Sequence, residues 1–260
     1  MTQTKPIAVQ LYTLREALAQ DFDGTLRDVA DAGFAGVETA FFGEDAPVER
    51  AAAQLRTLGL PVCSAHVSLP LGDMREIVLR TAEQFGCQRI VWHGWPQDER
   101  DSTLAGIHQL ADEYNAANEA AVANGLQLGL HNHWWEMTAV GTAAVDGVLP
   151  YQVMLERLDS RVFFELDTYW AKVAGRDPIA LIKELGPRAP LLHIKDGPAV
   201  RYEPMTAVGA GTLDIVGIVH AAQDSAEWLI VELDECATDM LTAVRGSFGY
   251  LTAQGLGRGK

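Results

Sequence analysis

Residues 123–133 read ANGLQLGLHNH, and the order of residue types in this stretch decides the fold. A helical pattern ends at Ala-Asn-Gly, a β-rich run follows at once, and the run closes on His131 and His133. Gly125 fits the left-handed position that commonly ends a helix, where a side chain costs energy. The same order recurs in DAGFAGVETA (31–40), TLGLPVCSAH (57–66) and QFGCQRIVWH (84–93), with Gly33, Gly59 and Gly86 in the corresponding place. Helix, glycine and buried strand form a repeating unit.

Reading outward gives eight such runs: IAVQL, GVETA, PVCSAH, RIVWH, LQLGLHN, VFFELD, PLLHIKD and WLIVELD. They alternate with amphipathic stretches such as DGTLRDVADA (23–32) and APVERAAAQLRTL (46–58). The runs are apolar on both faces until their last residues, as parallel strands covered on both sides are. A chain of 260 residues accommodates eight βα units of roughly 30 residues, close to the ~250 typical of the fold. The pattern predicts an α/β chain forming a single (β/α)8 TIM barrel over residues 1–260. A doubly wound open sheet is the alternative, but no GxGxxG follows the first strand.

The net charge of −15 repels a phosphate backbone, and no stretch concentrates Lys and Arg enough to reverse that sign, so nucleic acid is not an expected partner. No apolar run approaches the roughly 18 residues of a membrane span. MTQTKPIAVQL lacks the basic start and apolar stretch of a signal peptide, which predicts a cytoplasmic chain. Cys63, Cys87 and Cys236 are odd in number and widely spaced, unlike a disulfide framework, and are read as reduced. The sequence identifies no interface, though barrel-face residues could serve a homo-oligomer.

In a barrel of this kind the active site lies at the C-terminal ends of the strands. Here nearly every strand closes on polar residues: Gln10 and Tyr12, Glu38, His66, His93, His131 and His133, Glu165 and Asp167, His193 and Lys195, Glu232 and Asp234. A lone strand-end His or Glu often only satisfies a neighbouring backbone group. Five of the seven histidines converging with five carboxylates is a stronger pattern, because gathered carboxylates repel unless a cation or proton is shared. A mixed His and carboxylate set suits a divalent Mn, Co, Zn or Fe ion. One inward ligand from each late strand gives His131, Asp167, His193 and Glu232.

These residues resemble the sugar phosphate isomerase/epimerase family, with a xylose isomerase-like TIM barrel. The resemblance runs through VQLYTLRE, GFAGVE, SAH and LHNHWWEM and is most specific in ELDTYWAKVAGRDP, LLHIKDG, GAGTLDI and WLIVELD. It implies a divalent metal held by strands five to eight, with Asp167, His193 and Glu232 matching the last three ligand positions. It further implies isomerase or epimerase chemistry on a small carbohydrate or keto-sugar, through an enediolate-type intermediate. Strand five departs from the ketose epimerase branch, which usually offers a glutamate where this chain has His131. A metal-bound His is a poor proton shuttle, and Glu136 is an alternative fourth ligand.

For acid/base work the candidates are Lys195, Glu165 and His133. A nearby cation is expected to depress the Lys195 ammonium; a plain salt bridge to Glu165 or Asp234 is its structural alternative. His133 either donates to substrate or orients His131. Substrate contacts are expected from His66, His93, Trp134, Glu136, Tyr169 and Glu38, with Trp92, Trp95 and Trp135 also near strand ends, since aromatic rings match the C–H faces of sugars. GAGTLD (209–214) is read as a turn with Thr212 or Asp214 in the helix cap, in preference to a phosphate cradle, because no Arg or Lys adjoins it. Neutral keto-sugars, polyols or cyclitols fit the acidic chain. The runner-up reaction is a lyase, dehydrating an inosose or eliminating from a 3-keto-glycoside; abasic-site endonucleases of similar fold need a basic groove, and a non-catalytic sugar-binding subunit would lack the metal. The C-terminal LTAQGLGRGK reads as a helix end and a frayed tail.

Overall fold

The computed structural model describes residues 4–40, 47–94, 97–139 and 149–260. Each run expected as a strand is one: β1 (Lys5–Gln10), β2 (Gly36–Thr39), β3 (Val62–His66), β4 (Arg89–Trp92), β5 (Gln127–His131), β6 (Phe163–Asp167), β7 (Leu191–Ile194) and β8 (Trp228–Val231). Each pairs in parallel with the next in sequence, and β8 pairs with β1 through Ile7↔Leu229 and Val9↔Val231. The sheet closes, so the fold is a single α/β TIM barrel and not an open doubly wound sheet.

The helices of the outer ring are α1 (Arg15–Gln20), α2 (Phe22–Ala32), α3 (Val48–Thr57), α4 (Met74–Phe85), α5 (Leu104–Val122), α6 (Pro150–Arg157), α7 (Thr168–Val173), α8 (Pro178–Leu185), α9 (Ile215–Ala221) and α10 (Met240–Ala253). The second of them shows why. Phe22, Leu26, Val29 and Ala30 recur at helical spacing and are buried, giving α2 one apolar stripe to lay on the barrel. Asp21 accepts a hydrogen bond from the Gly24 amide (2.9 Å) at its start, and Gly33 ends it at φ +95°, as the glycine pattern predicts. No helix among the described residues is long and apolar enough to cross a membrane.

Two cores result. The larger lies between helices and barrel, and the smaller fills the lower barrel with Ala8, Cys63, Val91, Phe163, Leu191 and Ile230. Gly129 makes the second possible: a β-carbon there would overlap the Phe163 ring, so the absent side chain lets one large ring cross the interior. Above this apolar layer every strand turns polar.

The C-terminal tail departs from expectation. Gly257–Arg258 form a short strand, β9, that pairs in parallel with Lys5 and Pro6, Leu256 is buried, and the Lys260 amide donates to the Gly33 carbonyl (3.1 Å). The start of β1 precedes its pairings with β2 and β8, and the tail supplies partners for that backbone. Cys63 and Cys87 are buried free thiols, and Cys236 is a half-buried one.

Candidate metal centre and its cavity

Parallel register sets the strand-end residues side by side: Gln10 beside Glu38, Glu38 beside Ser64, His131 beside Glu165, and Asp167 beside His193. Alternation then turns every second side chain inward. His131, Asp167, His193 and Glu232 are all buried and each offers one ligand atom within 4.8 Å of the others. An overlapping set, His66, His131, Glu165 and His193, meets the same limit. A buried His, Glu and Asp cluster able to hold a metal ion therefore stands at the C-terminal end of the barrel.

Two networks meet at His193. On one side its Nε2 lies 2.7 Å from Glu38 Oε1, which also accepts from Gln10 Nε2 (2.7 Å), while the Ser64 hydroxyl donates to the other Glu38 oxygen. His66 Nε2 lies 2.6 Å from Glu165 Oε2 and 3.3 Å from Glu38 Oε1. On the other side His193 Nδ1 lies 2.6 Å from Glu232 Oε2. Lys195 Nζ is 2.6 Å from Asp234, 2.8 Å from Glu232 and 3.0 Å from Asp167.

Burial and charge set the protonation states. Burial opposes the His193 cation, but Glu165, Glu232 and Glu38 outweigh it and hold the imidazole well above its ordinary range. Burial likewise opposes the Lys195 ammonium, and Asp167, Asp234 and Glu232 outweigh it, so Lys195 is held high. Three carboxylates surround the ammonium, and the depression expected from the sequence belongs to a bound cation beside them. Lys195 does not pair with Glu165, which goes to the imidazoles of His66, His131 and His193. Burial, with Glu165 adding to it, pushes Glu38 up to about 7, and burial holds His131 well below its ordinary value, as a neutral ring.

Over this cluster opens a cavity of about 420 Å³. His66, His93, His131, His133, Trp134 and Glu232 line it. Burial lowers His93 to about 4, leaving a neutral imidazole in the cavity wall. Glu38, Glu165 and Lys195 are not in its wall; they are fully or almost fully buried beneath it. The Glu38 side chain is taken up by Gln10, Ser64 and His193. Glu136 is drawn the other way and accepts from the His133 amide (2.8 Å), so it neither joins the ligand cluster nor faces the cavity. Tyr169 is also absent from the wall and fully buried. The backbone turns helical at Thr168, so strand parity fails one residue after Asp167 and Trp170 lines the cavity instead.

Trp135 stacks on His133 (centroids 4.2 Å apart), Trp92 packs on the core, and Trp95 lies outside the described residues. Arg15, Trp170, Tyr202 and Met205 line the cavity without having stood out in sequence. Arg15 and Trp170 sit in the quoted motifs VQLYTLRE and ELDTYW, but Tyr202 and Met205 belong to an irregular loop with no periodicity to read. The turn reading of GAGTLD holds: the Asp196 carboxylate accepts from the amides of Gly197 (2.8 Å), Gly209 (2.9 Å), Gly211 (3.1 Å) and Leu213 (3.1 Å). The chain's own anion fills the cradle, and a β-carbon on Gly211 would displace it. Asp214 caps α9, accepting from Gly217 (2.9 Å).

A family model described as a xylose isomerase-like TIM barrel matches residues 26–251. No curated protein matches the sequence. A sugar phosphate isomerase/epimerase from Parabacteroides distasonis ATCC 8503 superposes with a TM-score of 0.78 at 23% identity, covering 97% of this chain and 95% of that one. The probable 3-DHS dehydratase AsbF from Bacillus anthracis gives 0.75 at 14% identity, over 95% and 98%. An L-ribulose 3-epimerase gives 0.70 at 19%, over 97% and 94%. At these identities the likeness is one of fold.

Proposed function

The chain belongs to the xylose isomerase-like TIM barrel family, and from that premise we propose that it is a divalent-metal-dependent isomerase or epimerase of a small carbohydrate or keto-sugar, working through an enediolate-type intermediate. The observation that carries this reading is the convergence of His131, Asp167, His193 and Glu232 at the floor of a cavity open to solvent. The donor set fits Mn, Co, Zn or Fe: His131 is neutral, and Asp167 Oδ2 is a buried oxygen with no hydrogen bond among the described residues, although Lys195 lies beside it. Such an ion, when bound, polarises a carbonyl and so lowers the barrier to removing the adjacent proton.

The chain's own groups handle the proton. His133 on the β5 side and Asp234 on the β8 side both line the cavity, one to take a proton from carbon and the other to return it. Lys195 fixes Asp234 through a 2.6 Å contact and supplies fixed positive charge near the developing oxyanion; it acts through position. His66 and His93 meet hydroxyl groups, Trp134 meets the C–H face of the sugar, and the surrounding rings exclude water.

A lyase reading is favoured by one observation: the two walls are unlike. The β5 side offers an imidazole, since Glu136 is tied to the His133 amide, while the β8 side offers a carboxylate. An unsymmetrical pair suits removing a proton on one side and protonating a departing oxygen on the other. Incubating metal-loaded protein with keto-sugars in D2O separates the outcomes. Deuterium uptake without loss of water or aglycone is expected; an enone product favours the lyase, and no exchange with any reconstituting metal overturns both.

A further inference from the structure

A chain of rings climbs from the polar floor to solvent. Lys195 Nζ lies 5.5 Å from the Trp170 centroid, Trp170 lies 4.8 Å from Trp134, and Trp134 lies 6.1 Å from Tyr202. Exposure rises along it, from 8% at Trp170 to 75% at Tyr202, and all three rings line the cavity that opens over the histidines. Tyr202 adopts φ +67°, the left-handed region that a β-carbon disfavours. A large ring held in water by a strained backbone is not explained by packing. Strain of this kind persists where the surroundings fix it, and it concentrates at ligand-binding sites.

The surroundings do fix it. The Arg201 guanidinium lies 4.3 Å from the Trp134 centroid and 4.5 Å from that of Tyr202, tying the outer two rings together. The base of the loop is clamped by the four amides on Asp196 and by the bridge of Met205 to Cys236. Across the cavity stands Tyr12, 43% exposed, with Arg15 over its ring at 4.3 Å. The remaining charges of this wall, Glu203, Asp234 and Glu235, repel an anionic occupant.

We propose that this ladder is a second subsite, which takes a neutral aromatic ring joined to the sugar, so that the molecule recognised is an aryl glycoside or kindred conjugate and not a free monosaccharide. The inference rests on the function proposed above for the seating of the sugar on the floor; the ring subsite stands on Trp134, Trp170 and Tyr202. Aromatic pairs favour offset or edge-to-face approach, and rings at successive heights offer both.

Binding to the purified full-length chain, by calorimetry and tryptophan fluorescence, tests it with phenyl glucoside, methyl glucoside and phenol. Phenyl glucoside should bind about tenfold tighter than methyl glucoside, the size of effect expected from a good ring contact. Tyr202→Ala should remove that advantage and leave the methyl glucoside affinity in place, and Tyr202→Phe should keep the advantage. Tyr202→Gly relieves the backbone and should raise the thermal midpoint while losing the phenyl advantage, which a purely structural tyrosine would not do. Phenol reports on the ladder alone: saturable quenching that survives in Asp167→Ala and vanishes in Tyr202→Ala supports the subsite even where the metal reading fails. Equal affinity for the two glucosides, or a phenyl advantage untouched by Tyr202→Ala, overturns it.

Discussion

The two networks on either side of His193 hold similar numbers of carboxylates and handle them differently. Around Glu38 and Glu165 the compensating groups are imidazoles, a hydroxyl and an amide, and both carboxylates are wholly buried. Around Asp167, Glu232 and Asp234 a single ammonium reaches all three carboxylates, His193 Nδ1 adds a second partner for Glu232, and Glu232 and Asp234 face the cavity. The first network ties β1, β2, β3, β6 and β7 together: both Glu38 oxygens and Glu165 Oε2 meet neighbours on other strands, and Glu165 Oε1 alone of the four oxygens has no hydrogen-bond partner among the described residues, an arrangement suited to holding the barrel's upper layer in register. The second is centred on one ammonium buried just beneath the cavity, where a divalent ion held by Asp167 and Glu232 would share its work of neutralising them. Depth separates them: both carboxylates of the first network lie beneath the cavity, and two of the second open onto it.

The strongest way to break that contrast is Glu165→Ala. It leaves His66 and His193 facing an apolar gap, and removing one partner of a buried pair costs about 3–5 kcal/mol. Urea unfolding should show that loss, and a loss under about 1 kcal/mol would end the view of this network as structural. Lys195→Met is next. It strands three carboxylates, so the metal-free chain should lose about 3 kcal/mol, and saturating divalent ion should restore more of the thermal midpoint than it adds to the parent chain. Turnover should fall with metal retained; an equal metal response in both chains would show that Lys195 does not share the ion's place.

Asp167→Ala probes the open side directly. Metal affinity, read by equilibrium dialysis with elemental analysis, should fall by more than the roughly 10–100-fold that follows loss of a supporting group. Stability should drop by less than in Lys195→Met, because Lys195 keeps Glu232 and Asp234 while the Trp170 amide loses a cap worth about 1 kcal/mol. Retained affinity would refute the ligand set. The smallest effect belongs to His93, lowered to about 4 by burial. The stability from its neutral ring is complete above the ordinary value of 6.5 and is lost as pH falls toward about 4. His93→Gln should flatten the melting curve's pH dependence within that window, and an unchanged acid slope would count against a buried neutral ring.

Much of the fold was legible because its signals are local. Gly33 and Gly86 mark helix ends at positive φ, the apolar runs mark strands buried on two faces, and period-two alternation carries Glu165 and Asp167, or His193 and Lys195, to one side. The convergence of His131, Asp167, His193 and Glu232 follows from that parity once the strands lie in parallel order. Parity carries no information past the strand ends. Tyr169, just beyond the end of β6, lies in α7 and is fully buried, and Trp170 lines the cavity. Glu136 was drawn to a nearby amide, and Glu38 to partners on β1, β3 and β7, by hydrogen bonds that no spacing announces.

By itself the sequence determined the number and order of the βα units, the end of the barrel where polar groups gather, and the acidic character that disfavours nucleic acid. These depend on residue type and short-range periodicity, which act before the chain closes. Tertiary structure alone decided which carboxylate meets which cation, that Asp196 and not a ligand fills the glycine-rich turn, that the tail pairs with β1, and that a strained Tyr202 stands above the cavity. Each of these rests on register and depth between segments far apart in the chain. Electrostatic and packing energies change steeply over the few ångströms that a register step moves a side chain.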